Sequence, residues 1–77
     1  MKSLIFGYGV TGQSIERYLK KKGIDYEIYD QNVKGPNIFN KLPNQKKLNS
    51  YEIVYLSPGI NIKKIYANGE FNKITYL

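Results

Sequence analysis

The chain alternates short apolar runs with polar stretches punctuated by glycine, and the runs come in two periods. Ser3-Leu4-Ile5-Phe6 is nearly all apolar and stops at Gly7, the pattern of a strand buried on both faces of a parallel sheet. From Val10 the period lengthens. Val10, Ile15, Tyr18 and Leu19 fall near one helical face, while Gln13, Glu16, Arg17, Lys20 and Lys21 fall largely on the rest. Glu16 and Lys20 make a favourable i,i+4 pair, and Lys20 to Lys22 suit the negative end of the helix dipole. Gly23 then supplies a left-handed residue to end the helix. Tyr26-Glu27-Ile28-Tyr29 returns to a two-residue alternation closed by Asp30, a second strand.

The stretch from Gln31 to Ser50 is the least periodic. Gly35-Pro36 and Leu42-Pro43 predict loop, with one short helix near Asn37 to Lys41 and a brief strand around Lys47. Tyr51-Glu52-Ile53-Val54-Tyr55-Leu56 is the strongest strand, halted at Ser57-Pro58-Gly59, where proline and glycine suit no central strand. Ile60 to Ala67 predicts a short helix ended by Asn68-Gly69, and Lys73 to Leu77 a last strand. Strands separated by crossovers imply an α/β, Rossmann-like three-layer domain with a mainly parallel sheet of four to five strands. Because the chain ends inside a strand, it is expected to be one domain, residues 1–77, of a longer protein.

Composition narrows the chemistry. Seventy-seven residues suffice for one small domain, and no cysteine or histidine is present. Disulfides, thiol nucleophiles, most zinc sites and the usual neutral-pH proton shuttle are therefore excluded. No apolar run is long enough for a bilayer span or a signal peptide, so a cytoplasmic chain with no membrane partner is expected. Twelve basic residues oppose six acidic ones. The lysines are scattered apart from Lys20-Lys21-Lys22, and the tyrosines show no stacking pattern, so nucleic acid is not the expected partner. Glu16, Asp25, Glu27, Glu52 and Glu70 read as surface charges. No pair of carboxylates is spaced for acid/base work, no P-loop is present, and no catalytic or metal-ligating residue is expected.

What remains is a nucleotide-binding pattern. Gly7-Tyr8-Gly9-Val10-Thr11-Gly12 is G-x-G-x-x-G between a predicted strand and a predicted helix, the setting this motif requires. Gly7 permits a tight turn, Gly9 lets a ligand approach the backbone, and Gly12 lets the helix pack against the strand. The N–H groups of Val10, Thr11 and Gly12 would face a diphosphate at the helix start. A strand-to-helix turn without a ligand would use the same glycines. Asp30 lies eighteen positions after Gly12, at the end of the second strand, where a carboxylate meets a ribose or a base. Ser57, Pro58 and Gly59 end another strand on the same rim. There Ser57 offers a hydroxyl, Pro58 stiffness and Gly59 close backbone approach, although an ordinary turn would have the same composition.

The glycine turn, Asp30 and Tyr55-Leu56-Ser57-Pro58-Gly59-Ile60 together resemble the N-terminal domain of the Mur ligases, most of all of the member that adds D-glutamate. The resemblance spans essentially the whole chain and covers the first of the family's three domains. It implies that Val10 and Thr11 donate backbone N–H groups to the diphosphate of UDP-N-acetylmuramoyl-L-alanine, that Asp30 and Gln31 face its uracil, and that Ser57 and Gly59 line the other side of the pocket. Gln31-Asn32 stand where the family often has a hydroxyl and a basic residue, and the stretch after Ser57 is shorter than usual. The resemblance also implies that ATP, magnesium and the amino-acid substrate belong to middle and C-terminal domains outside this chain. By itself the chain is then expected to be inactive and to need no cofactor. The alternative from the same glycine turn is a regulatory domain that binds NAD.

Overall fold

A computed structural model describes residues 2–66 and 74–76. The order is β1 (Ser3–Phe6), α1 (Val10–Lys22), β2 (Tyr26–Tyr29), β3 (Ile38–Phe39), α2 (Gln45–Ser50), β4 (Ile53–Leu56), α3 (Ile62–Ile65) and β5 (Ile74–Tyr76). All four strand pairings are parallel, and the sheet order is β3-β2-β1-β4-β5. The expected α/β Rossmann-like architecture is therefore present. Strand order reverses between β1 and β4, which makes their C-terminal ends the switch point of the sheet.

Alternation along the strands divides the core between two faces. Ile5, Ile28 and Leu19 form one cluster, joined by Tyr8, Ile15, Tyr26, Ile38 and Tyr55 on the α1 side. Leu4, Phe6, Tyr29, Val54 and Leu56 point the other way and pack with Leu48 of α2, Tyr51, Phe39, Ile60 and Tyr66. Both faces of β1 are used, which is why its three apolar residues run consecutively.

Helix α1 begins and ends where the sequence places it. Gly23 has φ +68°, its N–H donates to the Lys20 carbonyl, and the Ile24 N–H donates to that of Leu19, the paired bonds of a Schellman ending. The buried stripe differs from the expected one. Gly12 and Leu19 are buried, with Ile15 and Glu16 partly so, while Val10 is 83 % and Tyr18 49 % exposed. A Cβ on Gly12 would lie 2.3 Å from the Gly7 carbonyl oxygen. This close approach turns the 12-15-16-19 stripe to the sheet and carries Val10 and Tyr18 outward.

Four other expectations change. Instead of a helix near Asn37 to Lys41, Gly35 to Ile38 form a turn in which the Ile38 N–H donates to the Gly35 carbonyl and Asn37 takes φ +63°. Proline followed by a left-handed residue suits a type II turn and no helix, and it delivers Ile38 and Phe39 to pair with Ile28 and Tyr29. Around Lys47 the chain is helical, not extended, because the Asn44 side chain accepts from the Lys47 N–H at 2.8 Å and Leu48 is buried. Helix α2 runs to Ser50 and ends at Tyr51, whose N–H donates to the Leu48 carbonyl, so β4 starts at Ile53 and not at Tyr51. Helix α3 is shorter than the span from Ile60 to Ala67, and Ala67, Asn68-Gly69, Glu70, Lys73 and Leu77 lie outside the described residues. Among the described residues no helix is long and apolar enough to cross a membrane.

Candidate functional site

Strand register sets the site. Phe6 is level with Tyr29 of β2 and with Leu56 of β4, and Tyr29 is level with Phe39 of β3. The residues that follow, Gly7, Asp30, Ser57 and Asn40, therefore emerge at one height on the C-terminal rim. Backbone bonds continue past the strands: the Gly7 N–H donates to Tyr29, the Ser57 N–H to Phe6 and the Asp30 N–H to Phe39. The three sequence-predicted segments thus meet at the switch point.

The glycine turn has the form the sequence predicts. Gly7 has φ +104°, and a Cβ there would lie 2.8 Å from Ser57 Oγ. The Ser57 hydroxyl donates to the Gly7 carbonyl at 2.9 Å, fastening the β4 loop to the turn. Gly9 is the N-cap of α1 in an extended conformation, and a Cβ on it would meet nothing within 4 Å. The space in front of Gly9 is open. Gln13 is the first residue of the helix to donate back, to the Gly9 carbonyl at 2.9 Å. Val10, Thr11 and Gly12 precede it, and their N–H groups have no partner within the helix. No side chain caps this end.

Asp30 lines a cleft of about 210 Å³ together with Phe6, Gly7, Tyr29, Gln31, Asn32, Leu42, Ile60 and Ile65. Its carboxylate is turned onto the backbone. Oδ2 accepts from the Tyr8 N–H at 2.8 Å, and Oδ1 accepts from Asn32 at 2.8 Å and Val33 at 3.0 Å. Desolvation pushes the Asp30 carboxyl up, but these three N–H groups outweigh it and hold it below the usual aspartate range. A carboxylate has about four acceptor positions, and three are used here. Asp30 therefore shapes the turn and the loop after β2 as well as lining the cleft.

Gln31 lines the same cleft, while Ser57, Pro58 and Gly59 form the turn beside it and leave Ile60 to supply the wall. Gly59 has φ +87° and Pro58 is exposed. Ile60 closes the Ser57-Pro58-Gly59-Ile60 motif quoted from the sequence, whereas the sequence does not mark Phe6, Tyr29, Leu42 and Ile65 as site residues. Leu42 and Ile65 are over 40 % exposed at the cleft; Ile65 falls at the helical spacing expected after Ile60, and Leu42 has no periodicity to mark it. Asn40 also escaped notice. Its amide donates to the Asp30 and Val33 carbonyls at 2.7 and 2.8 Å, bracing the loop after β2.

Two of the presumed surface carboxylates are engaged. Glu16 accepts from the Tyr8 hydroxyl through Oε1 and from the Tyr26 hydroxyl through Oε2, the latter at 2.7 Å. Glu27 accepts from Tyr51 at 2.6 Å and from Lys2 at 3.3 Å. Glu16 belongs to the buried stripe of α1, and Glu27 alternates toward the α2 face, so each needs donors from the protein. No group of three His, Cys, Asp or Glu residues is placed to hold a metal ion among the described residues. The described residues therefore do not fit magnesium.

Comparison with curated proteins finds no match, and neither does comparison with solved structures. One protein-family model matches residues 1–70, that of the Mur ligase MurD-like N-terminal domain. That match covers the glycine turn, Asp30 and the Ser57 loop alike, and the chain belongs to the MurD-like N-terminal domain family of the Mur ligases.

Proposed function

We propose that this chain is the UDP-binding domain of a cytoplasmic, ATP-dependent ligase that adds D-glutamate to UDP-N-acetylmuramoyl-L-alanine in peptidoglycan synthesis. The observation that carries the proposal is the cleft at the switch point, lined by Gly7 at the head of the glycine turn and by Asp30 and Gln31 after β2. The diphosphate lies across the N–H groups of Val10, Thr11 and Gly12, where the helix start carries a partial positive charge and Gly9 leaves room. The uracil enters between Gln31-Asn32, whose amides can both donate and accept, and the aliphatic wall of Leu42, Ile60 and Ile65. Ser57, Pro58 and Gly59 hold that wall in place. ATP, magnesium and the bond-forming chemistry belong to other domains of the ligase, and this domain orients the substrate.

The MurD-like N-terminal family match over residues 1–70, which takes in the Ser57 loop as well as the glycine turn, favours this ligand over NAD. The test is a two-dimensional NMR titration of the labelled chain with UDP-N-acetylmuramoyl-L-alanine, with NADH in a parallel sample. Shifts at Val10, Thr11, Asp30, Gln31 and Ser57 to Ile60 with the UDP compound alone are expected. A response to NADH alone moves the chain to the regulatory class, and silence toward both overturns binding by this domain on its own.

A further inference from the structure

Tyr8 is the residue between the first two glycines of the turn, and it is held at both ends. Its N–H donates to Asp30 Oδ2 at 2.8 Å, and its hydroxyl donates to Glu16 Oε1. Glu16 is on α1, the helix whose first N–H groups face the open space. Its side chain is only 15 % exposed, and its other oxygen is occupied by the Tyr26 hydroxyl. Tyr8 therefore links three parts of the site: the glycine turn, the end of β2 and the body of α1. A turn with glycine on each side of one residue has much backbone freedom to lose on ordering. Side-chain contacts that remove that freedom beforehand improve binding without touching the ligand.

We propose that Tyr8 and Glu16 are positioning residues for the diphosphate, acting together through their hydrogen bond to fix the backbone N–H groups of Val10, Thr11 and Gly12. The proposal rests on the UDP-binding reading above and adds to it two residues that do not line the cleft. Neither supplies charge to the phosphates. Their effect is on the geometry of the donors.

The test measures UDP and UMP affinity by NMR titration of the wild-type chain and of Tyr8→Phe, Glu16→Gln, the double variant and Tyr51→Phe. Tyr51→Phe removes a tyrosine–carboxylate bond of the same kind, to Glu27, on the opposite face of the sheet. Each variant's thermal midpoint and spectral dispersion report whether it is folded. Tyr8→Phe is expected to weaken UDP binding about five- to tenfold, the order of one hydrogen bond, and Glu16→Gln, whose amide oxygen can still accept from Tyr8, by less. UMP, lacking the second phosphate, should lose less, and Tyr51→Phe should bind both ligands as the wild type does.

The double variant should bind UDP about as weakly as Tyr8→Phe alone, since with the Tyr8 hydroxyl gone Glu16→Gln has no bond to the turn left to weaken. Tyr8→Phe keeps the ring in the core and carries the test alone should Glu16→Gln unfold. Unchanged UDP affinity in folded Tyr8→Phe overturns the proposal, as does an equal loss for UMP or for Tyr51→Phe, which would mark a purely structural role. A wild-type chain that ignores UDP overturns the UDP reading itself and this proposal with it.

Discussion

The Ser57 hydroxyl donates to the Gly7 carbonyl oxygen at 2.9 Å, joining residues fifty apart in sequence that end the neighbouring strands β4 and β1. The bond exists because Gly7 has no side chain. A Cβ there would sit 2.8 Å from Ser57 Oγ and 3.0 Å from Ile60 Cδ1, on a backbone with φ +104°. Gly7→Ala is therefore expected to destabilise the chain by about 1–3 kcal/mol through strain and crowding. Ser57→Ala, which loses one partly buried hydrogen bond, should cost about 0.5–1.5 kcal/mol. Urea denaturation of the two variants checks the order, and a Ser57→Ala cost above that of Gly7→Ala would contradict it.

Gly9 and Gly12 should behave oppositely. A Cβ on Gly12 would lie 2.3 Å from a backbone oxygen and 3.2 Å from Ile5, while one on Gly9 would meet nothing within 4 Å. Gly12→Ala is expected to lose about 3 kcal/mol or more, enough to unfold much of a domain this small. Gly9→Ala should remain folded, at a cost below about 1 kcal/mol for exchanging the cap residue. Its Cβ would nevertheless occupy the path of the phosphates, so UDP affinity should fall while the thermal midpoint hardly moves. Unchanged UDP affinity in Gly9→Ala would place the ligand elsewhere.

Acid should weaken the fold through carboxylates with protein donors. The Tyr51 hydroxyl lowers the Glu27 carboxyl below its ordinary 4.5, helped by Lys2, and the backbone bonds lower Asp30 below 3.8. In both cases the unfolded chain takes up a proton at higher pH than the folded one. Their contribution is present above those ordinary values and is lost as pH falls through the lower folded ones. Denaturation midpoints measured from neutral pH downward should decline over that window. The decline should be shallower in Tyr51→Phe, where Glu27 loses its strongest donor, and an identical slope would remove Glu27 from the account.

Alkali should act through the tyrosines. Tyr26 is pushed up to about 12, first by desolvation and then by its bond to Glu16, and Tyr66 to about 12 by burial. Their ordinary value is 10.0. The folded chain therefore holds protons that the unfolded chain releases, and stability is full below 10 and lost as pH rises toward 12. Tyrosinate absorbance followed against pH should show late-ionising groups in the folded chain, and Tyr26→Phe should remove one of them.

The positions of β1, α1 and β2 are legible along the chain because each is specified by neighbours a few residues away. Three consecutive apolar residues define β1, a Schellman glycine ends α1, and tyrosine-isoleucine alternation marks β2. The glycine turn was equally legible, since G-x-G-x-x-G states a backbone geometry directly. The stretch from residue 31 to 50 was not. Its helix depends on a single capping side chain, Asn44, and its strand is two residues long and stable only against β2.

The sequence by itself determined the α/β class, the three loops of the candidate site and the family, because glycine, proline and hydrophobic spacing constrain local backbone wherever they occur. Only the tertiary structure decided which side chains those loops aim at one another. The close packing at Gly12 chose the face of α1 and brought Glu16 to Tyr8 and Tyr26. Strand register brought Asp30 and Ser57 level with Gly7 and turned their polar groups onto its backbone. Those pairings join residues from eight to fifty positions apart, and the carboxylates and hydroxyls in them look the same in sequence as ones left in water.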